Sequence, residues 1–444
     1  MSWQRYFTSS PYPRSARVYS SSRVGVVLGM AISIAITGVL MRDGRVIAAS
    51  VPFLLYAGVA LLSKSYQREP QIIVERVLSA DHTTEGETID ITVTITNAGS
   101  HIPWLGVSER IPRVVEVTGG DTSILASFDE GEKISFSYMV NAPRGMHVLP
   151  GMDLVLWDQI TLAPRRHFIP HKTQFLTVPI AEPIDEIEIR PQRTRAYAGV
   201  VRANQGGSGI DFFGCHAYST GDDIRRINWR AYARTRELIV NEYEQERIAD
   251  VTVFLDARER ANPRVDKKET FNYAVRAAAS MANYFIKKGN SVGLFIYGEY
   301  MNWTFPGYGK TQMRRILDSL ARAQTSDKEV FDDLRAVPTR LFPPRSQLVM
   351  ISASLDEHDV EVLGVLKAHG YQIIMIMPDV IPYEASQIEQ SDAKDLAMHI
   401  VTLRHRLIVD ALARIGVEVV QWDVRDSLAS IISWTLSRRA RRIA

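Results

Sequence analysis

Residues Val251–Asp256 read VTVFLD, a run of apolar side chains that ends in an acid. Such a continuous apolar run predicts a strand buried on both faces of a sheet. The segment Lys267–Lys288 follows with apolar side chains along one helical face, and Gly289 comes directly after it. This pattern predicts a helix that ends at a glycine. A buried strand followed by an amphipathic helix is typical of a parallel, doubly wound sheet.

The same alternation continues to residue 437. Further strands are predicted at Val292–Tyr297, Gln347–Ser352, Tyr371–Met377 and Val417–Trp422. Further helices are predicted at Thr311–Arg322, Glu357–Ala368, Asp392–Ile415 and Asp426–Ser437. We therefore predict an α/β domain over residues 250–444, with a basic tail at its end. Ligands of such folds lie beyond the carboxyl ends of the strands, the edge at which Asp256 lies.

Upstream, residues 68–183 follow a period of two. Ile89, Ile91, Val93 and Ile95 alternate with polar residues, as half-buried strands do. Glycine-containing turns separate several such runs. We predict an immunoglobulin-like β-sandwich without a disulfide, because Cys215 is the only cysteine.

Two uncharged runs of 17 residues lie at 24–40 and 46–62, separated by a short polar loop. Each is about 26 Å long as a helix, close to the thickness of a bilayer core. We predict a transmembrane hairpin within residues 1–67; a cleaved signal peptide or two buried core helices are the alternatives. Basic residues are more frequent in the flanks than in the loop, which predicts that both termini and the later domains are cytoplasmic.

The whole-chain composition excludes several classes of protein. The 444 residues carry 52 Lys+Arg against 50 Asp+Glu, a formal charge of +2. A chain so nearly neutral is not a strongly basic nucleic-acid binder, so no nucleic-acid partner is expected. One cysteine also excludes a multi-cysteine metal site.

Residues 184–249 form a motif-rich block between these domains. It resembles the signature of domain-of-unknown-function family 58, which reads loosely G-x-G-x-E-F, then Y, G-D-D, R-x-I-D-W and A-x-A-R. Two positions differ, since Asp211 replaces the Glu and Asn228 replaces the Asp. The candidate signature or partner-binding residues are Gly207, Gly209, Asp211, Phe212, Tyr218, Gly221, Asp222, Asp223, Arg225, Trp229 and Arg234.

These residues allow two physical interpretations. In the first, arginines, acids and Trp229 form a buried ion-pair and tryptophan cluster that docks the block onto the sheet. In the second, they form a polar surface that binds a partner or an anionic ligand. Arg226, Arg230 and Arg234 are spaced to share one face of a helix. We expect the buried cluster.

The resemblance also implies a C-terminal domain similar to von Willebrand factor A domains. Those domains often hold Mg²⁺ through D-x-S-x-S, a threonine and a later acid. Here Asp256 matches the first position and Thr311 is a candidate for the threonine, but Arg258 and Arg260 replace both serines. A guanidinium cannot ligate a cation, so we expect no metal or other cofactor, and an ion pair between Asp256 and a neighbouring arginine.

No catalytic constellation stands out. Gly309-Lys310-Thr311 lacks the first glycine of a phosphate loop, and adjacent Cys215 and His216 rarely face each other as nucleophile and base. Proteins of the resembled family commonly accompany MoxR-type AAA+ ATPases. The resemblance thus implies a membrane-anchored, non-enzymatic adaptor, with the ATPase and the lipid bilayer as partners. A hydrolase using Asp211, Asp222 or Asp223 and a structural envelope protein are the alternatives.

Overall fold

The computed structural model describes residues 22–66, 70–157, 165–184, 195–248, 250–262, 264–265, 268–298, 302–326, 342–343, 346–379 and 391–432. The chain divides into two compact units, Met1–Thr177 and Val178–Ala444. The first unit is helical and then β-rich, and the second is mainly α/β. The predicted multidomain organisation is confirmed at this level.

The first unit begins with two helices, α1 (Ser22–Met41) and α2 (Gly44–Tyr66). They form a tight hairpin, because Gly38 has no side chain. A Cβ atom at this position would lie only 2.7 Å from the Ile47 side chain. The Asp43 carboxylate accepts a hydrogen bond from the Arg45 amide at 2.8 Å at the start of α2. The predicted pair of helices is confirmed, and its placement in a membrane stays a prediction.

Among the described residues, no helix combines the length and the apolarity that crossing a membrane requires.

Residues 72–178 form an antiparallel sandwich whose two sheets enclose a single apolar core. The strands, in chain order, are β1 (Ile72–Leu78), β2 (His82–Thr84), β3 (Ile89–Asn97), β4 (Ile102–Glu109), β5 (Glu116–Gly120), β6 (Ser123–Phe128), β7 (Lys133–Asn141), β8 (Gly145–Trp157) and β9 (Arg165–Val178). One sheet has the order β1-β3-β7-β5 and the other β2-β9-β8-β4-β6. The alternation in β3 predicts its core face correctly, since Ile89, Ile91, Val93 and Ile95 are all buried.

The second unit opens with a strand pair and a short helix: β10 (Arg195–Ala217), α3 (Trp229–Thr235) and β11 (Ile239–Ile248). A six-stranded sheet, the helices on its two faces and a separate short strand pair follow. They are β12 (Asp250–Asp256), the short pair β13 (Arg264–Val265) and β14 (Lys268–Glu269), α4 (Phe271–Lys287), β15 (Ser291–Tyr297), β16 (Asn302–Gly307), α5 (Gly309–Arg322), β17 (Gln347–Ile351), α6 (Glu357–Ala368), β18 (Gln372–Asp379), α7 (Asp392–Arg414) and β19 (Glu418–Asp423). Residues 428–432 are helical, which confirms the predicted helix Asp426–Ser437 over those residues, and residues 433–437 lie outside the described part of the structure.

The sheet has the order β16-β15-β12-β17-β18-β19, with one apolar core on each face. Helices α4 and α5 cover one face, and α6 and α7 lie on the other, so the doubly wound prediction is confirmed. The prediction of an all-parallel sheet is wrong at one edge, where β16 pairs antiparallel with β15. This strand carries Pro306, which has no amide hydrogen to donate and therefore suits an edge strand.

Candidate functional site

The signature residues are held by the antiparallel pair β10–β11. In its regular part, Cys215, His216 and Ala217 lie opposite Asn241, Val240 and Ile239. Gly207 and Phe212 both face Tyr243, so the residues between them bulge out of the ladder. Gly209 and Asp211 lie within that bulge. The side chains of Asp211 and Phe212 are outside the described part of the structure.

A sharp turn leads from β10 towards α3. Tyr218 continues the strand, its amide donating to the Leu238 carbonyl at 2.8 Å. Gly221 has φ +122°, a backbone conformation that residues other than glycine rarely adopt. The Asp222 carboxylate accepts the Ser219 amide at 2.6 Å and lies 3.1 Å from His216 Nε2. The hydrogen bond from the Ser219 amide, followed by that from His216, holds the pKa of Asp222 below its ordinary value.

Short side-chain caps position the next residues. Asp223 accepts the Arg225 amide at 3.0 Å and caps a single 3-10 turn, Ile224–Arg226. Asn228 accepts the Ala231 amide at 3.0 Å and caps α3. Asn228 also donates to Asn241 Oδ1 at 2.9 Å, which ties the helix to β11. The Asn228 side-chain amide can accept a hydrogen bond at the cap and donate one to β11. An ionised Asp, the residue of the family signature at this position, has no hydrogen to donate.

The structure contradicts the expected buried cluster. Trp229 is 60% exposed and lies edge-on to Tyr232, with ring centroids 6.1 Å apart. The helix begins at residue 229, so Arg226 lies before it and does not share a helical face with Arg230 and Arg234. The described residues provide no ion pair to Arg225, Arg230 or Arg234, all of which are exposed. We call the exposed side chains Ile224, Arg225, Trp229, Arg230, Tyr232 and Arg234 the signature surface.

The prediction that Cys215 and His216 do not pair is confirmed. Successive strand residues point to opposite faces. The Cys215 thiol lies 3.3 Å from Asn241 Oδ1, whereas His216 contacts Asp222. Asp222 and Asp223 are both engaged in local turn and cap hydrogen bonds.

A second cluster lies at the carboxyl edge of the sheet, where a buried guanidinium joins two aspartates. Arg258 is 1% exposed. Its Nε and Nη2 donate to the two carboxylate oxygens of Asp256 at 2.9 and 2.7 Å. Its Nη1 and Nη2 donate to those of Asp359, both at 3.1 Å. The predicted ion pair of Asp256 is confirmed, with Arg258 as its partner.

The surroundings complete this guanidinium cluster. The Ser352 hydroxyl donates to Asp256 Oδ2 at 2.9 Å, and the Tyr297 ring lies 5.4 Å from the guanidinium carbon. Burial lowers the pKa of Arg258, but hydrogen bonds and charges from Asp256 and Asp359 outweigh it and raise the pKa above its ordinary value. Thr311 is exposed in the first turn of α5 and is not among the described contacts of Asp256.

Sequence reasoning missed Asp359, which lies 101 residues after Arg258. The available signal was the pattern Asp356-x-x-Asp359 just before an apolar run. It is a capping box: Asp356 accepts the Asp359 amide at 2.8 Å and Asp359 accepts the Asp356 amide at 3.3 Å. The start of α6 therefore brings the second carboxylate to Arg258.

These features define a multidomain protein with a β-sandwich, a capped motif on a strand pair, and a mixed α/β domain. Residues 215–380 match the family described as Protein of unknown function DUF58, which confirms the family resemblance for that part of the chain. Gly207, Gly209, Asp211 and Phe212 precede the matched residues. No curated protein matches the chain.

Solved structures similar to part of the chain have low identity. A FixG-related protein from Vibrio parahaemolyticus is 9% identical over 24% of this chain and 95% of its own, with a TM-score of 0.17. The CARDB domain of a Pyrococcus furiosus protein is 15% identical over 25% of this chain and 89% of its own, with a TM-score of 0.17. A non-cellulosomal cohesin from Archaeoglobus fulgidus is 16% identical over 24% of this chain and 91% of its own, again with a TM-score of 0.17. None of these likenesses bears on what this chain binds.

Proposed function

We propose that this protein is a membrane-anchored, non-enzymatic adaptor that acts with a MoxR-type AAA+ ATPase in the assembly or maturation of other proteins. The observation that carries the proposal is the exposure of Trp229 and Tyr232 beside Arg225, Arg230 and Arg234, to which the described residues provide no ion pair. Trp, Tyr and Arg are the residue types that most often dominate the energy of protein interfaces. Exposing them in water has no benefit to folding, so a docking role explains them best.

The chemistry of the signature surface also suits an acidic partner. Residues 224–234 contain Arg225, Arg226, Arg230 and Arg234 and no acid. Opposite charges across an interface accelerate association and fix its orientation. The identity of the partner as a MoxR-type ATPase comes from the family resemblance. We propose that this ATPase binds at the signature surface.

We propose that the α/β domain is similar to von Willebrand factor A domains, with a guanidinium in place of a bound cation. The support is the alternation of strands and helices and the position of Asp256 at the end of β12. Arg258 supplies the positive charge between Asp256 and Asp359. The domain in this proposal is a rigid support for the signature surface and has no chemistry of its own.

We place the hairpin α1–α2 in the cell membrane, with both termini and the later domains in the cytoplasm. The support is the exposed surface of these helices and not their length. Large apolar side chains are exposed along both helices, including Val26 at 61%, Leu40 at 78% and Leu55 at 64%. Apolar patches of this kind on soluble proteins are rare, and lipid covers them at no cost. Protease treatment of sealed right-side-out vesicles should leave the C-terminal domain intact; its digestion would contradict this orientation.

Co-purification of the full chain from native membranes tests the adaptor role. The wild-type chain should retain an AAA+ ATPase that mass spectrometry identifies, and Trp229→Ala and Arg225→Ala should lose it. Phe305→Ala is a matched control, because Phe305 is an exposed aromatic on the edge strand β16. Retention by both surface variants would contradict the proposal. Absence of the ATPase, together with a hydrolase activity that Asp222→Asn abolishes, would favour the enzyme alternative.

A further inference from the structure

Helix α7 has its apolar stripe on the face that points away from the domain. Leu396, Ile400, Leu403 and Leu407 are 64, 58, 48 and 64% exposed, and they are separated by four, three and four residues. This spacing places them on one side of the helix, as in the seam of a coiled coil. The four leucine and isoleucine side chains form what we call the α7 stripe.

The opposite side of α7 holds the helix on the domain. Ile408 and Leu412 are buried, and Lys394, Met398, Thr402 and His405 are half-buried on the same side. The inner face is therefore the more polar one over the first four turns, which inverts the usual pattern of a surface helix. A sequence selected only to fold this domain would place leucines inward, so the α7 stripe requires a covering partner.

Charges at the two ends of the stripe identify that partner. Asp392 lies four residues before Leu396, and Arg414 lies seven residues after Leu407, so both share the stripe's face and both are exposed. Asp410 also lies on this face, one turn before Arg414. Leu403 is midway between Asp392 and Arg414. An antiparallel copy of the same helix then meets itself at Leu403 and brings each Asp392 towards the other chain's Arg414.

We propose that the α7 stripe is the seam of a two-fold symmetric homodimer with antiparallel α7 helices. A two-fold interface uses the same patch twice, which a helix face with opposite charges at equal distances from Leu403 satisfies. A parallel pairing instead places Asp392 against Asp392 and Arg414 against Arg414. A single pair of helices buries a small area, so the dimer is weak and reversible.

Cysteine linkage in the full chain, purified in detergent with Cys215→Ser, tests the geometry. Leu403→Cys should form a disulfide-linked dimer on mild oxidation. Arg414→Cys should not link to itself, because the two residues are about 33 Å apart along antiparallel helices, but it should link to a chain carrying Asp392→Cys. Self-linkage of Arg414→Cys with no link to Asp392→Cys would overturn the antiparallel arrangement.

Charge reversal tests the contact at two exposed positions, in the first and last turns of α7. Asp392→Arg or Arg414→Asp alone should weaken dimerisation about tenfold, because two symmetry-related contacts become repulsive, and the double variant should restore it. Leu407→Gln should abolish the dimer, whereas Val365→Gln on α6, also exposed, should not. A chain that is monomeric by light scattering, together with no disulfide linkage in the Leu403→Cys variant, overturns the proposal. A second test uses the Leu403→Cys variant with a fluorescent probe on the cysteine, reconstituted in vesicles that contain brominated lipid. Quenching of the probe would also overturn the proposal, because it would place the stripe in the bilayer.

Discussion

Removing the buried guanidinium should destabilise the α/β domain more than removing any exposed arginine. Arg258→Ala deletes four hydrogen bonds of 2.7–3.1 Å to Asp256 and Asp359. The two carboxylates, whose side chains are 2 and 3% exposed, then lie in one buried site without a counter-charge. Breaking a buried ion pair by removing one partner costs about 3–5 kcal/mol. That is a large part of the roughly 5–15 kcal/mol that holds a domain folded.

Hydrogen exchange followed by mass spectrometry measures this loss in the full chain. Amides of β12 and β17 should exchange about 10²–10⁴-fold faster in Arg258→Ala, since each 1.36 kcal/mol is a factor of ten. Arg260→Ala is the matched control, because Arg260 pairs with Asp356 at 2.6 Å on the surface with side chains 46 and 33% exposed. Its loss should cost less than about 1 kcal/mol. Equal protection in wild type and Arg258→Ala would refute the assigned role of the cluster.

Two further predictions concern the same edge of the sheet. Asp356→Ala should destabilise the domain by about 1 kcal/mol, because Asp356 caps α6. Burial raises the pKa of Asp356, but hydrogen bonds from the Asp359 amide and Arg260 prevail and lower it, so the unfolded chain binds the proton first as the pH falls. The difference between wild type and variant, from denaturant titration, should therefore be full above pH ~4 and shrink below it; a constant difference would refute the charge contribution. Calorimetry with Mg²⁺ should give no binding heat, because Arg258 already occupies both carboxylates; saturable micromolar binding would contradict this.

The sequence predicts the fold of the α/β domain well, because its strands are buried on both faces and therefore apolar throughout. Val251–Asp256 and Glu357–Ala368 agree closely with the observed β12 and α6. The edge strand β16 is missed, since its alternation of polar and apolar residues lasts only from residue 302 to residue 305 and Pro306 follows. Helix α4 begins at Phe271 and not Lys267, because residues 264–269 contain a short strand pair.

The candidate sites are less predictable, because each depends on contacts that are distant in the chain or on where a short helix begins. The spacing of Arg226, Arg230 and Arg234 suggests one helical face, but the cap at Asn228 starts the helix after Arg226. The same cap places Trp229 in the first turn of α3, where its side chain is 60% exposed. Likewise, Asp256 and Arg258 are neighbours in sequence, but only folding brings Asp359 to them.

The adaptor role is tested most directly by a photo-crosslinking amino acid placed at position 229 of the full chain in its native membrane. We expect one main adduct, an AAA+ ATPase, and we expect it to disappear when Arg225→Ala and Arg234→Ala are added. The same probe at position 305, an exposed aromatic position on β16, should give no such adduct. An ATPase adduct of equal yield at both positions, or none at position 229, would contradict a docking role for the signature surface.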